Sequence, residues 1–194
     1  MISKKYIAVV AKKGQNQWLK RTSNVKNFIS ILNTVFKKQK SLRILDAGCA
    51  NGKDSNEIAK KGFDVEGIDY NKEFIKDAKQ KYPDLKFELG DITRLKYKNS
   101  TFDAVYCVNT LFYTNPSKSI PQLLRVLKKG GVLFVTLDEK IIDLDKNKII
   151  HSLDMDKTMK LFSKCLLLNE NYFERVDKIP FVHKHFFYEI AFRK

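Results

Sequence analysis

The sequence predicts a doubly wound α/β fold: a mainly parallel seven-stranded sheet with helices on both faces and an antiparallel C-terminal strand. Three observations predict it. Strand and helix signals alternate from residue 42 to 137, which calls for βαβ crossovers and a parallel sheet. The run Ile44-Leu45-Asp46-Ala47-Gly48-Cys49-Ala50-Asn51-Gly52-Lys53 passes from apolar residues through an acid into a glycine-containing loop, the signature of a strand, a tight turn and a helix start. The last third ends in two strand-like runs that turn back on each other, adding one antiparallel strand.

The totals suit this architecture. A chain of 194 residues, 43% hydrophobic and 30% charged, can bury a sizeable core as one domain. We divide it into a basic N-terminal segment and helix (1–41), a ligand-binding core (42–137) and an outer part (138–194). Cys49, Cys107 and Cys165 are odd in number and widely spaced, so they form neither a disulfide framework nor a zinc motif, and no metal is expected. They read as reduced thiols in a cytoplasmic protein. The apolar hexamer Tyr6–Ala11 is too short to span a bilayer and has no convincing cleavage site, so neither secretion nor membrane insertion is expected.

Charge is concentrated at the start. The net charge is +15, and residues 1–43 hold eleven Lys or Arg without an acid, which accounts for +11 of it. Such a segment suits RNA or an anionic substrate. Only six of the 37 basic residues are Arg, however, whereas phosphate-reading surfaces favour Arg forks; a general lysine bias explains the skew equally well.

Taken in order, Gly14–Arg21 is a polar loop containing the one tryptophan, Trp18. From a cap at Thr22 or Ser23, a helix runs to about Lys38, with Val25, Phe28, Ile29, Leu32, Val35 and Phe36 on one stripe. Strands follow at 42–47, 64–69, 86–89, 103–108 and 132–137, and helices at 54–61, 72–81 and 119–127. Pro121 fits the first turn of the last helix, and Gly130-Gly131 leads into the fifth strand. Residues 141–144 and 148–151 flank a polar turn and read as a hairpin placed to act as a lid. Asp154 caps a helix to about Cys165, and 172–178 with 186–192 form the final pair around Pro180.

The glycine loop selects its ligand by spacing. A dinucleotide fingerprint starting at Gly48 needs glycine at 50 and 53, where the chain has Ala50 and Lys53. Leu45-Asp46-Ala47-Gly48-Cys49-Ala50-Asn51-Gly52 instead resembles the first motif of class I S-adenosylmethionine-dependent methyltransferases, whose fold is Rossmann-like, with Ala50 in place of the middle glycine. The resemblance continues through Gly67-Ile68-Asp69-Tyr70, Gly90-Asp91-Ile92, Phe102–Asn109 with Leu111-Phe112-Tyr113, and Leu124–Leu133, and so covers about residues 42–137 in the family's order.

The resemblance implies S-adenosyl-L-methionine as cofactor. The residues it assigns to cofactor binding are Asp46, Gly48, Cys49, Ala50, Gly52, Asp69, Tyr70, Asp91, Ile92, Val108 and Asn109. Asp69 falls where the family's acid accepts from the ribose diol, Tyr70 beside the adenine, and Asp91 with the backbone of Ile92 at the adenine edge. Ala50 leaves an open alternative. At negative φ its methyl is harmless, whereas at positive φ, or close to the cofactor, it costs conformational energy or affinity.

The reaction implied is in-line displacement at the sulfonium methyl, which depends mainly on alignment and exclusion of water. A base is needed only where the acceptor must lose a proton, and the candidates are Tyr113, His151, His183 and His185. Trp18 is a candidate for closing over the methionine end. Asn109-Thr110-Leu111-Phe112 lacks the Asp/Asn-Pro-Pro-aromatic signature of base-amine methylation, and Cys107 has no preceding proline, so both DNA readings lose weight. A small-molecule O, N or S acceptor is therefore expected. The alternatives are RNA, with tRNA first, held by the N-terminal lysines, and a non-catalytic cofactor-binding subunit.

Overall fold

The computed structural model describes residues 24–194 apart from 38, 40, 179 and 180. The expectations for Tyr6–Ala11, Trp18, the Thr22 or Ser23 cap, most of the basic segment and the turn at Pro180 lie outside the described residues. The remainder forms one eight-stranded sheet, one strand more than expected, because both arms of the inserted hairpin join it.

Helix α1 (Val25–Val35) buries Val25, Phe28 and Leu32, three of the residues on its predicted stripe. Its N-cap is Asn24, whose side chain reaches the buried Glu189 instead of capping the helix. Strand β1 (Arg43–Ala47) is followed by α2 (Lys53–Ala59), β2 (Asp64–Asp69), α3 (Lys72–Lys81) and β3 (Lys86–Leu89). The polar Asn71 side chain caps α3 by accepting from the N–H groups of Glu73 and Phe74, as an N-cap should.

After β4 (Phe102–Cys107), α4 spans Pro116–Val126. It begins three residues before the expected start because Asn115 accepts from the Ser117 N–H and Pro116 occupies the first turn. Pro121 is therefore inside the helix, where it removes one backbone donor. Strand β5 runs unbroken from Leu127 to Asp143, so the expected fifth strand and first hairpin arm are one element. Strand β6 (Lys148–Ser152) folds back on its outer half. The helix expected to Cys165 is only α5 (Met155–Met159) and a 3-10 turn at Lys160–Phe162. Strands β7 (Leu166–Asp177) and β8 (His183–Arg193) complete the sheet, and both are longer than their apolar runs suggest.

The order is β3-β2-β1-β4-β5-β8-β7, with β6 against β5. Strands β1 to β5 pair in parallel, and β8 is antiparallel to both β5 and β7. Two apolar layers flank the sheet. One packs Leu45, Val105, Leu133 and Ile190 with Ile120 and Leu123 of α4; the other packs Ile44, Tyr106, Phe134 and Ala191 with Phe28 and Leu32 of α1. Helices thus cover both faces, and the chain reverses sheet direction between β1 and β4, where a crevice opens at the carboxyl edge. No described helix is long and apolar enough to cross a membrane.

Candidate active site

The loop after β1 is pinned to β2 by its backbone. The N–H groups of Gly48 and Cys49 both donate to the Ile68 carbonyl, at 2.8 and 3.0 Å. Gly48 has φ +89, and a Cβ there would lie 2.1 Å from Thr110 Oγ1, so this turn and the loop after β4 can approach each other only through a glycine. Gly52, at φ +78, is the N-cap of α2. Ala50 also has positive φ, +46, which resolves the alternative left by its sequence: it takes the left-handed conformation that a glycine would favour.

Its N–H has a specific partner. The Ala50 N–H donates to Asp69 Oδ2 at 3.0 Å, and the Asn71 N–H donates to Oδ1 at 2.8 Å. Asp69 is therefore a buried carboxylate held across the gap between two loops, with lone pairs left over for further donors. Burial raises its pKa despite these hydrogen bonds. Asp46, at the end of β1, is fully enclosed and accepts from Ser55 Oγ at 2.5 Å; burial pushes its pKa up to about 8. Cys49 is buried and its thiol is pushed well up by burial, which makes it a packing residue beside Phe87.

The other residues assigned by resemblance lie around the same edge. Tyr70 is half exposed. Asp91 is exposed and caps the turn Ile92–Arg94, accepting from the Thr93 N–H and Oγ1 at 2.8 Å each, while Ile92 is buried. Val108 is partly buried, and Asn109 sits at φ +52 with its N–H donating to Thr136 Oγ1 at 2.7 Å.

Beyond Asn109 lies a buried polar strip that the sequence reading captured only in part. His185 Nδ1 is 2.6 Å from Asp138 Oδ1, and its Nε2 is 3.3 Å from Asp177 Oδ2. Burial works against a charged His185, but the two carboxylates outweigh it and its pKa rises. His183 Nδ1 lies 2.8 Å from the Phe181 carbonyl oxygen and its Nε2 is 4.0 Å from Asp177 Oδ2; burial lowers its pKa. Arg175 donates through Nη1 to Asn109 Oδ1 and through Nε to Asp177 Oδ2, at 3.3 Å each, joining this strip to the loop after β4.

His151 belongs to β6. Burial lowers its pKa, and its Nε2 is buried without a hydrogen-bond partner among the described residues. It lines a cleft of ≈ 410 Å³ with Phe112, Thr114, Asn115, Pro116 and the remainder of Ile149–Leu153. The Phe112 ring makes T-shaped contacts with both His151 and His185, with centroids 6.2 and 5.9 Å away. Tyr113 packs its ring against Phe112 with centroids 4.0 Å apart. The structure thus gathers His151, His183, His185 and Phe112 along one edge, and adds Asp138, Asp177 and Arg175, which carried no recognisable motif.

Comparison with known proteins agrees with this geometry. Residues 45–135 match the methyltransferase domain family. A demethylmenaquinone methyltransferase of Renibacterium salmoninarum is 37% identical over 94 residues, which is 48% of this chain and 40% of that protein. An uncharacterised protein of Methanocaldococcus jannaschii is 29% identical over 142 residues, 73% of this chain and 58% of that one. The chain thus aligns with roughly two fifths to three fifths of these relatives' lengths.

Solved structures agree in fold. A SAM-dependent methyltransferase from Methanosarcina mazei superposes with a TM-score of 0.68 at 22% identity, covering 80% of this chain and 93% of its own. A TehB-like SAM-dependent methyltransferase from Corynebacterium glutamicum gives 0.69 at 17% identity, covering 95% and 97%. The segment that matches the methyltransferase domain family runs from β1 into β5 and so carries the loops at this edge, and the fold is that of SAM-dependent methyltransferases of known structure.

Proposed function

We propose that this protein transfers the methyl group of S-adenosylmethionine to an O, N or S atom of a small molecule, and that the cofactor lies along the loops after β1, β2, β3 and β4. The cradle fits such a ligand. Gly48 and Gly52 let the first loop take its left-handed turns and pack closely on Thr110 and Phe87, and Asp69 is anchored by two backbone N–H groups with acceptor capacity left for a ribose diol. Asp91 and Ile92 lie at the next loop along the same edge. The bound cofactor would supply an electrophilic methyl group on a sulfonium.

The protein's own contribution is placement. Asn109 is locked between Thr136 and Arg175, fixing the wall between the cofactor loops and the acceptor side. The observation that carries the small-molecule reading is the cleft of ≈ 410 Å³ lined by Phe112, Thr114 and His151, which falls within the usual few hundred Å³ of small-ligand pockets. His151 is held neutral by burial, so its Nε2 can accept a proton from an acceptor that must lose one. The names of the demethylmenaquinone methyltransferase relatives point to the same kind of acceptor.

The test is transfer of a labelled methyl group from the cofactor to separated small-metabolite and RNA fractions. Label in the metabolite fraction, reduced in His151→Gln, is the expected result. Label confined to tRNA, weakening with salt and with joint neutralisation of Lys12, Lys13, Lys20 and Arg21, would transfer the assignment to RNA. S-adenosylhomocysteine binding without turnover in any fraction would point to a non-catalytic subunit. A thermal shift with NAD and none with S-adenosylhomocysteine would reject the cofactor assignment itself, since ligand at ~100 times its dissociation constant adds about 2.7 kcal/mol.

A further inference from the structure

We propose that Asp177, His183 and His185 form a binding site for one divalent first-row transition ion, with zinc as the reference ion. The three residues come from directly paired positions of adjacent strands. Asp177 faces His183 across β7 and β8, and His185 is two residues further along β8 on the same face. All three are buried, and one ligating atom from each lies within 4.8 Å of the other two.

The distances suit a metal. Asp177 Oδ2 is 3.3 Å from His185 Nε2 and 4.0 Å from His183 Nε2. Zinc–nitrogen and zinc–oxygen bonds of ~2.0–2.1 Å in a tetrahedron place neighbouring ligand atoms about 3.3 Å apart. One of the three edges already has that length, a second at 4.0 Å needs an inward turn of the His183 ring, and the third, between the two imidazoles, is at most 4.8 Å.

The outer partners are of the kind that metal-binding imidazoles use. A ligating histidine ordinarily donates its other ring N–H to a carboxylate or a backbone carbonyl, which fixes its tautomer. Both histidines do this here: His185 Nδ1 is set against Asp138 and His183 Nδ1 against the Phe181 carbonyl. A carbonyl oxygen only accepts, so the His183 proton resides on Nδ1 and, in the neutral ring, the Nε2 lone pair is turned toward Asp177. His185 lies between two carboxylates, Asp138 at Nδ1 and Asp177 at Nε2, so its Nε2 carries either a proton or, in the proton's place, a metal ion.

Charge points the same way. Asp138, Asp143 and Asp177 are buried on this face of the sheet, against the guanidinium of Arg175 and the largely exposed ammonium of Lys146, 4.0 Å from Asp143. A proton on His185 offers the competing way to neutralise the cluster, and it predicts no metal. Two imidazoles and one carboxylate form a borderline donor set that suits zinc, iron or cobalt and not magnesium or calcium, which take all-oxygen shells.

The proposal is independent of the methyltransferase assignment. Tag-free protein is stripped with chelator, then dialysed against zinc or titrated with Co2+, with bound metal quantified and the cobalt absorption recorded. One zinc per chain and an intense visible cobalt spectrum of tetrahedral type are expected, with no uptake of Mg2+. Asp177→Asn and His183→Gln should each weaken zinc binding at least tenfold, while His151→Gln leaves it unchanged. Circular dichroism identifies variants that fold. The proposal is overturned if the folded wild-type chain binds no zinc in stoichiometric amount, or if folded Asp177→Asn and His183→Gln both bind it as the wild type does.

Discussion

Ala50→Gly is the substitution for which sequence and structure together give a signed magnitude. Alanine at φ +46 carries roughly 1–2 kcal/mol of left-handed strain that glycine does not. Against this, glycine widens the unfolded ensemble by about 0.4–1 kcal/mol. The difference favours the variant by about 0.5–1 kcal/mol. For a chain of this size that corresponds to a rise in Tm of roughly 2–4 °C per kcal/mol. The Ala50 N–H to Asp69 bond is a backbone contact and survives the change. Urea denaturation should therefore show a higher midpoint at an unchanged slope. Calorimetry with S-adenosylhomocysteine should show affinity equal to or better than that of the wild type. A lower midpoint would refute the reasoning, because it would mean that the methyl group contributes packing worth more than the strain, or that the loop does not hold positive φ at this residue.

Three further substitutions probe the same crevice. Asp69→Ala strands the N–H groups of Ala50 and Asn71, so it should lower stability by about 1–3 kcal/mol for each group that water cannot reach, and also weaken S-adenosylhomocysteine binding; calorimetry alongside denaturation separates the two effects, and unchanged affinity in a folded variant removes Asp69 from the site. Gly48→Ala forces a Cβ to within 2.1 Å of Thr110 Oγ1 at φ +89 and should destabilise by at least ~2 kcal/mol, with a lower urea midpoint as the readout. Asp46 holds its proton to about pH 8 when folded but loses it near the ordinary carboxylate value of 3.8 when unfolded, so the folded state binds more protons in between and wild-type stability should fall as pH rises across that window. Asp46→Asn, which has no such proton, should give a flatter profile between pH 4 and 8 by urea denaturation, and an equally steep one would assign the slope to other groups.

The loops proposed to hold the cofactor were legible as strand-turn-helix junctions because their elements are local. An apolar run, an acid and spaced glycines within ten residues determine a strand, a turn and a helix start, and the same is true at Gly67–Tyr70 and Gly90–Ile92. Only the conformation of Ala50 had to be seen, since a single alanine is compatible with either sign of φ. Element lengths were less legible where pairing overrode composition. Glycines at 130 and 131 read as a break before the fifth strand, yet β5 is extended through them: the β4 pairing steps from Leu127 straight to Val132, while the Gly130 N–H donates to the Lys194 carbonyl and the Gly131 carbonyl accepts from the Lys194 N–H.

The proposed acceptor side is written in register, which no short motif encodes. Strict alternation along β5 would put Asp138 and Lys140 on one face and Ile141 and Asp143 on the other. The register shift between Asp138 and Lys140, at Glu139, reverses that alternation, so Asp138, Ile141 and Asp143 share the face that carries His183 and His185. Asp177 and Arg175 join them because β7 pairs Asp177 with His183 and Arg175 with His185. One inserted residue therefore decides whether His185 meets a carboxylate or a lysine stem, and Asp138→Asn tests what that carboxylate does. It should lower the His185 pKa, which NMR titration of the imidazole would register. Retention of the wild-type titration in a folded Asp138→Asn variant would show that Asp177 alone sets the charge of that ring.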